Sequence, residues 1–267
     1  MPFCFCPLRS GSSGNALFVQ AGNTRVLVDA GLSGRAVEQA LREIGATPDS
    51  LGAILISHEH ADHIRGVGVL SRRYDLPVYA TEKTWLAMED KPGITGIAPR
   101  HRRLLCAGQD FYICDLAVSP FAIPHDAADP VGFSLHCGGR KLCIATDLGH
   151  LAQSWLAALS GANLVLLEAN HDPGLLGRSV RYPAYLKRRI LSRHGHLSNA
   201  DCGTAVVRLA EQGTRHVILG HLSAETNTPA LAERTVSDAL WAAGIEPQTD
   251  VRVDLALRDR IGRLYSL

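Results

Sequence analysis

His58, His60, Asp62 and His63 fall within six consecutive positions, directly after the apolar run Leu51-Gly52-Ala53-Ile54-Leu55-Ile56. Imidazole and carboxylate are ligands for divalent ions such as zinc and manganese. Histidines at i and i+2 can address one ion while the Asp-His pair at i+4 and i+5 addresses a second, the pattern of a dinuclear hydrolase site. Further groups of the same kind recur in the same setting. His125 follows the apolar stretch 117–124, Asp147 follows 142–146, His221 follows 216–220, and Asp29 follows 25–28. Catalytic groups gathered where several buried strands end are how a layered α/β fold displays a site on a rigid frame. One site assembled from five segments is expected.

The elements that must position these groups are legible in outline. Residues 16–20 and 25–28 flank Ala21-Gly22-Asn23-Thr24, a hairpin signal, and residues 131–137 and 141–145 bracket Gly138-Gly139-Arg140 as a second hairpin. Val37, Leu41 and Ile44 fall at helical spacing, and helices are predicted over 184–191, over 200–211 with Ser198 or Asn199 as cap, and over 229–243. Strands dominate both halves, with helices between them. A chain of 267 residues without a linker or internal repeat fits one domain, 1–267.

Composition narrows the function classes. With 46% apolar residues and a net charge of +1, the chain is neither disordered nor a general polyanion binder, so any nucleic-acid site must be a local patch. Seven cysteines, with no Cys-x-x-Cys pair, argue against a disulfide framework and a zinc finger, and fit a reducing cytoplasm. The N-terminal segment lacks the basic and apolar regions of a signal peptide, and no run approaches the ~18 apolar residues needed to span a bilayer, so a cytoplasmic protein without a membrane partner is expected.

Taken in order, Asp29, His58-x-His60-x-Asp62-His63, His125, Asp147 and His221 resemble the five motifs of the metallo-β-lactamase superfamily. Within it, Ser10-Gly11-Ser12-Ser13-Gly14-Asn15-Ala16, the stretch 125–132, Glu168-Ala169-Asn170-His171-Asp172 and Gly195-His196-Leu197-Ser198-Asn199 are similar to the bacterial YycJ/WalJ group. The resemblance implies an α/β (α+β) fold in which two stacked sheets carry helices on their outer faces, an αββα sandwich. Only 21 residues separate His125 from Asp147 and 27 separate Glu168 from His196. That leaves no room for the arm of ribonuclease Z or for a β-CASP domain, so a single compact domain is expected.

The resemblance also implies the site. His58, His60 and His125 would hold one ion, Asp62, His63 and His221 the second, with Asp147 between them; the cofactors are then two divalent ions, zinc or manganese. Two such ions ~3.5–4 Å apart activate water and clamp transition-state oxygens, as phosphodiester hydrolysis requires. Asp29 would orient a ligand histidine; the plainer alternative is a strand-end turn residue. Together with Asp62, Glu168 and His196 complete the catalytic set. In ribonuclease Z a glutamate after a buried strand orients a histidine that contacts the scissile phosphate, and Glu168 and His196 stand in the matching order, although that family reads His-Ser-Thr where this chain has His196-Leu197-Ser198.

Substrate contacts are expected from Ser12, Ser13 and Asn15 in the small-residue loop, from Ser198 and Asn199, and from Arg181 and Arg188 in a basic stretch with Tyr182 and Tyr185 interleaved. A flexible turn and a solvated helix face are the respective alternatives. The activity implied is a 5′ to 3′ exonuclease of duplex DNA acting in DNA repair, with nucleic acid as partner. A small-molecule or cyclic-nucleotide phosphodiesterase and a thioester or lactone hydrolase remain open, the latter having no use for Glu168 and His196.

Overall fold

The computed structural model describes residues 1–267. Two seven-stranded sheets form its centre. The first contains β1 (Phe3–Arg9), β2 (Ala16–Ala21), β3 (Thr24–Ala30), β4 (Ala53–Leu55), β5 (Val78–Ala80) and β6 (Arg102–Leu104), with the last strand, β14 (Tyr265–Ser266), at its other edge. The second runs through β7 (Phe111–Ile113), β8 (Leu116–Ala122), β9 (Val131–Cys137), β10 (Arg140–Ala145), β11 (Leu164–Glu168), β12 (His216–Gly220) and β13 (Arg252–Leu255). In each sheet one part is antiparallel and the other parallel: β3 to β6 are parallel in the first, β10 to β13 in the second.

The helices are α1 (Gly34–Glu43), α2 (Ala61–Ile64), α3 (Val67–Tyr74), α4 (Glu82–Met88), α5 (Gln153–Leu159), α6 (Pro173–Arg178), α7 (Ala184–Ile190), α8 (Asn199–Glu211) and α9 (Pro229–Ala242). Strand residues alternate between two apolar layers, because successive side chains leave a strand on opposite faces. In β11, Leu164 and Leu166 join Val26, Val28, Phe133 and Ile144 between the sheets, whereas Val165 and Leu167 pack outward with α5, α8 and α9. On the other side Leu27 and Ile54 pack outward with Val37, Leu41 and Leu70. Three apolar clusters of similar size thus separate four layers, the expected αββα sandwich. Burial on both faces explains why these strands read as continuous apolar runs rather than alternating ones.

Both expected hairpins form, β2 with β3 and β9 with β10. The three later helices form as well, with Ser198 as the cap of α8, its Oγ accepting from the Asp201 N–H. No helix is long and apolar enough to cross a membrane.

Candidate metal centre and substrate cavity

The chemistry-bearing residues converge where strands of both sheets end, as parallel strands present ligand sites at their carboxyl ends. Asp29, Asp147 and His221 share one backbone signature there. Their φ angles are 60°, 60° and 55°, left-handed values that cost a non-glycine residue strain and are kept where the surroundings over-determine them. Each residue sits at or within two positions of the end of its strand.

Asp29 closes β3 onto the loop after β4. Its Oδ1 accepts from the Ser57 N–H at 2.9 Å, and its Oδ2 lies 2.8 Å from Ser57 Oγ and 2.7 Å from His63 Nδ1. With Nδ1 donating to Asp29, the Nε2 lone pair of His63 is left facing the centre. Gly31 makes this approach possible, since a Cβ there would lie 1.6 Å from the Asp62 carbonyl oxygen.

His58, His60 and His125 bring one ring nitrogen each within 4.8 Å of one another, and a carboxylate oxygen of Asp62 gathers as closely with His63 and His221; Asp147 groups with His58 and His63 by the same measure. Several separations, His63 Nε2 to Asp147 Oδ2 at 3.4 Å, His221 Nε2 to Asp147 Oδ1 at 3.6 Å and His63 Nε2 to Asp62 Oδ2 at 3.7 Å, are long for direct hydrogen bonds. They match the spacing of about 3.4 Å between ligand atoms arranged tetrahedrally around one ion at ~2.1 Å. His58 Nε2, His221 Nε2 and Asp147 Oδ2 are buried without any protein partner. Orphaned buried acceptors of this kind are costly unless something binds them, and an all-nitrogen and oxygen donor set suits a divalent ion. The residues fit the metals.

Glu168, the last residue of β11, is fully buried and fully used. Its Oε1 lies 2.8 Å from Nδ1 of both His196 and His221, and its Oε2 accepts from the N–H groups of Leu148 and Leu197 at 2.7 and 2.9 Å. One carboxylate therefore aims a metal-side histidine and the cavity-facing His196 together.

Electrostatics follow from this packing. Burial opposes protonation of His196, but the charges of Glu168 and Asp147 outweigh it and raise its pKa. Against the same burial, Asp29, Asp147 and Asp62 hold His63 up to about 9, and Asp147, Asp62 and Glu168 raise His221 well above the ordinary range. Burial and neighbouring histidines push His58 down. Burial also lowers His125, against Asp147. Asp62, Asp147 and Glu168 stay below the usual carboxylate range because the facing histidines overcome the burial penalty.

A cavity of 220 Å³ is lined by His60, Asp62, Asp147, His196 and His221 of the centre. Tyr182, with Leu186, Arg189 and Ile190 of α7, and Ser12, Asn170 and Ser223 complete its lining. All expected metal-side residues therefore come together with His196. Of the expected substrate contacts, Ser12 reaches the cavity. Ser13 is exposed and does not line it. Asn15 is buried, its Oδ1 accepting from the Gly11 N–H while its Nδ2 lies 3.0 Å from His63 Nε2. Ser198 is spent on capping α8, and Asn199 is buried against Asn227. Arg181 pairs with Glu225 at 3.1 Å.

Arg188 is exposed off the lining because α7 presents positions 186, 189 and 190, the i, i+3 and i+4 face, to the cavity. Arg189, one residue on, lines it and pairs with Asp126. Asn170, Leu186, Ile190 and Ser223 were not expected as site residues. Ser223 lies two positions beyond His221, and proximity to a ligand was the only available signal.

Comparison with known proteins supplies the remaining observations. The family model for the beta-lactamase superfamily domain matches residues 24–222. The chain is 42% identical to exodeoxyribonuclease YycJ of Bacillus anthracis over 240 residues, 90% of each chain. It is 39% identical to exodeoxyribonuclease WalJ of Streptococcus pneumoniae over 251 residues, covering 94% of this chain and 93% of the relative. Among solved structures, the metallo-beta-lactamase fold protein YhfI from Bacillus subtilis superposes with a TM-score of 0.73 at 16% identity over the full length of both chains, a likeness of fold.

Proposed function

Because the chain belongs to the beta-lactamase superfamily and is a metal-dependent hydrolase, we propose that it is a dinuclear phosphodiesterase that shortens duplex DNA from its 5′ ends, in the service of DNA repair. A nuclease reading is supported by relatives named exodeoxyribonucleases that match over at least nine-tenths of the chain. The observation that carries it to phosphodiester chemistry is the Glu168–His196 pair at 2.8 Å beside the metal-side ligands.

His58, His60 and His125 would hold one ion and Asp62, His63 and His221 the other, with Asp147 placed to serve either; zinc and manganese both suit these donors. When bound, the ions supply activated water and positive charge for the transition-state oxygens. Asp29 keeps His63 in the tautomer that binds metal, and Glu168 does the same for His221. Glu168 also keeps His196 charged, so that its Nε2–H neutralises the scissile phosphate and passes a proton to the departing alkoxide oxygen. Tyr182, Leu186 and Ile190 offer an apolar wall to a terminal sugar or base, with Arg189 and Ser12 beside it for phosphate oxygens. A thioester or lactone hydrolase would leave His196 without a task. The small volume of the cavity, 220 Å³, also suits a small phosphodiester, and substrate tests separate the two.

The test is incubation of zinc- and manganese-loaded protein with end-labelled duplex DNA, single-stranded DNA, RNA and bis-p-nitrophenyl phosphate. Stepwise release from labelled 5′ ends of duplex DNA is expected. His196→Ala should lower DNA turnover roughly 10²–10⁴-fold with both metals retained, and the nitrophenyl diester less, because nitrophenolate departs without a proton. Equal losses on both substrates, accompanied by loss of metal, would make His196 structural and remove the support for nuclease chemistry.

A further inference from the structure

A second cavity adjoins the catalytic one across a shared residue. Ser223, which lines the first, also lines a cavity of 250 Å³ whose walls are Leu222, Asn227, the Thr228-Pro229 start of α9 and residues 256–260 after β13. The two are tied through Ser10. Its N–H donates to the Leu257 carbonyl at 3.3 Å, and its Oγ accepts from the N–H of the metal-side His221 at 2.9 Å. Gly11 lets the two segments pack in direct contact, since a Cβ there would stand 2.9 Å from Arg258 Cβ. The segment carrying Arg258 and Arg260 is therefore held one loop away from the catalytic centre.

These arginines differ from the basic stretch around α7. There Arg181 is paired with Glu225, Lys187 donates to the Gly177 carbonyl and Arg189 is paired with Asp126. Arg258 is exposed and has no carboxylate within salt-bridge distance, and Arg260 meets only its neighbour Asp259, at 4.0 Å with both side chains 74% exposed. Free guanidinium groups at the mouth of a groove match phosphate oxygens in charge and in fork geometry. The apolar side chains of Leu222, Ala256 and Leu257 give the same groove a surface for sugars.

We propose that this second cavity is the track for the DNA strand beyond the scissile nucleotide, with Arg258 and Arg260 against its backbone phosphates. The proposal rests on the nuclease reading and adds the binding site that a polymer, unlike a small diester, would need. Neutralised phosphates release counterions, so each lost contact lowers both affinity and the steepness of its salt dependence.

The experiment compares metal-loaded parent protein with Arg258→Gln/Arg260→Gln on a 20-nucleotide labelled duplex, a dinucleotide and bis-p-nitrophenyl phosphate, across a salt series. The variant should lose about tenfold in kcat/KM on the duplex, with a salt slope shallower by roughly 1–2, and keep parental turnover of the two short substrates. Arg258→Lys/Arg260→Lys, which keeps the charge, should retain the parental slope. Parental duplex kinetics and slope in the glutamine variant would overturn the track. Parent protein that cleaves only the short diesters would overturn the nuclease reading itself and this inference with it.

Discussion

Replacing Glu168 by glutamine is the sharpest perturbation of the centre, because one buried carboxylate accepts four hydrogen bonds, two on each oxygen. An amide keeps the shape and supplies one oxygen and one NH₂ group. If the NH₂ replaces Oε2 it faces the N–H groups of Leu148 and Leu197; if it replaces Oε1 it faces the Nδ1–H of His196 and His221. Either way two of the four charge-assisted bonds are lost: the backbone N–H groups are left without an acceptor, or the imidazoles must take the tautomer that accepts at Nδ1, whose Nε2–H cannot bind metal. Hydrogen bonds to a charged acceptor are worth about 1.5–3 kcal/mol each, so the loss is about 3–6 kcal/mol, a large share of the ~5–15 kcal/mol that holds a domain folded.

For a chain of this size even the low end lowers Tm by at least about 6 °C. Releasing His221 from its partner should also weaken metal binding by roughly 10–100-fold. Glu168→Gln is thus expected to be more damaging than His196→Ala, which removes one end of a single bond and leaves His221 aimed. Thermal melts, metal titration and turnover on DNA and on bis-p-nitrophenyl phosphate measure the three effects. A variant with parental metal affinity and a melt within roughly 2 °C of the parent would refute the account of Glu168 as the shared support of both histidines.

Two further outcomes follow from the same geometry. Asp29→Asn should leave the fold intact and reduce metal affinity by roughly 10–100-fold, since His63 Nδ1 loses its charged acceptor at 2.7 Å; elemental analysis should find close to two ions per parent chain and fewer in the variant. In the metal-free protein His63 is held up to about 9 against an unfolded value near ~6.5, so its protonation contributes on the order of 3 kcal/mol of stability that is fully present below ~6.5 and lost as pH rises to about 9. His196 and His221, also raised, add to this slope in the same direction; Asp62, Asp147 and Glu168 are ionised in both states throughout, and His58 and His125, held low in the fold, oppose the slope only near pH ~6.5, where the unfolded chain finishes losing their protons. Chelated protein should therefore melt progressively lower from pH 6.5 to 9, and metal should reverse the slope because its ligands must be deprotonated; a slope of the same sign with and without metal would count against the ligand assignment.

Sequence by itself determined which residues come forward as candidate ligands, and the layered α/β frame that gathers them. The reason is local: four of the seven candidate ligands sit within six consecutive residues, the others each follow an apolar run, and strands buried on both faces advertise themselves as such. The helices expected over 184–191, 200–211 and 229–243 were legible through periodicity and caps, and form over 184–190, 199–211 and 229–242. What only the tertiary structure decided is the pairing between segments far apart in the chain. Nothing in the order of residues couples Asp29 to His63, Ser10 to His221, or one carboxylate of Glu168 to two histidines at once.

Likewise the sequence offered Arg181, Lys187, Arg188 and Arg189 as one basic stretch, with Arg181 and Arg188 as expected contacts, but the rotation of α7 brings only Arg189 of these to the cavity, and Glu225 and Asp126 arrive from other segments to neutralise two of its charges. Ligand chemistry is a property of residue type and can be read one position at a time. Hydrogen-bond partners, burial and the direction a helix faces belong to the packed chain, and these decide which histidine is charged, which carboxylate is shared and which arginine is free.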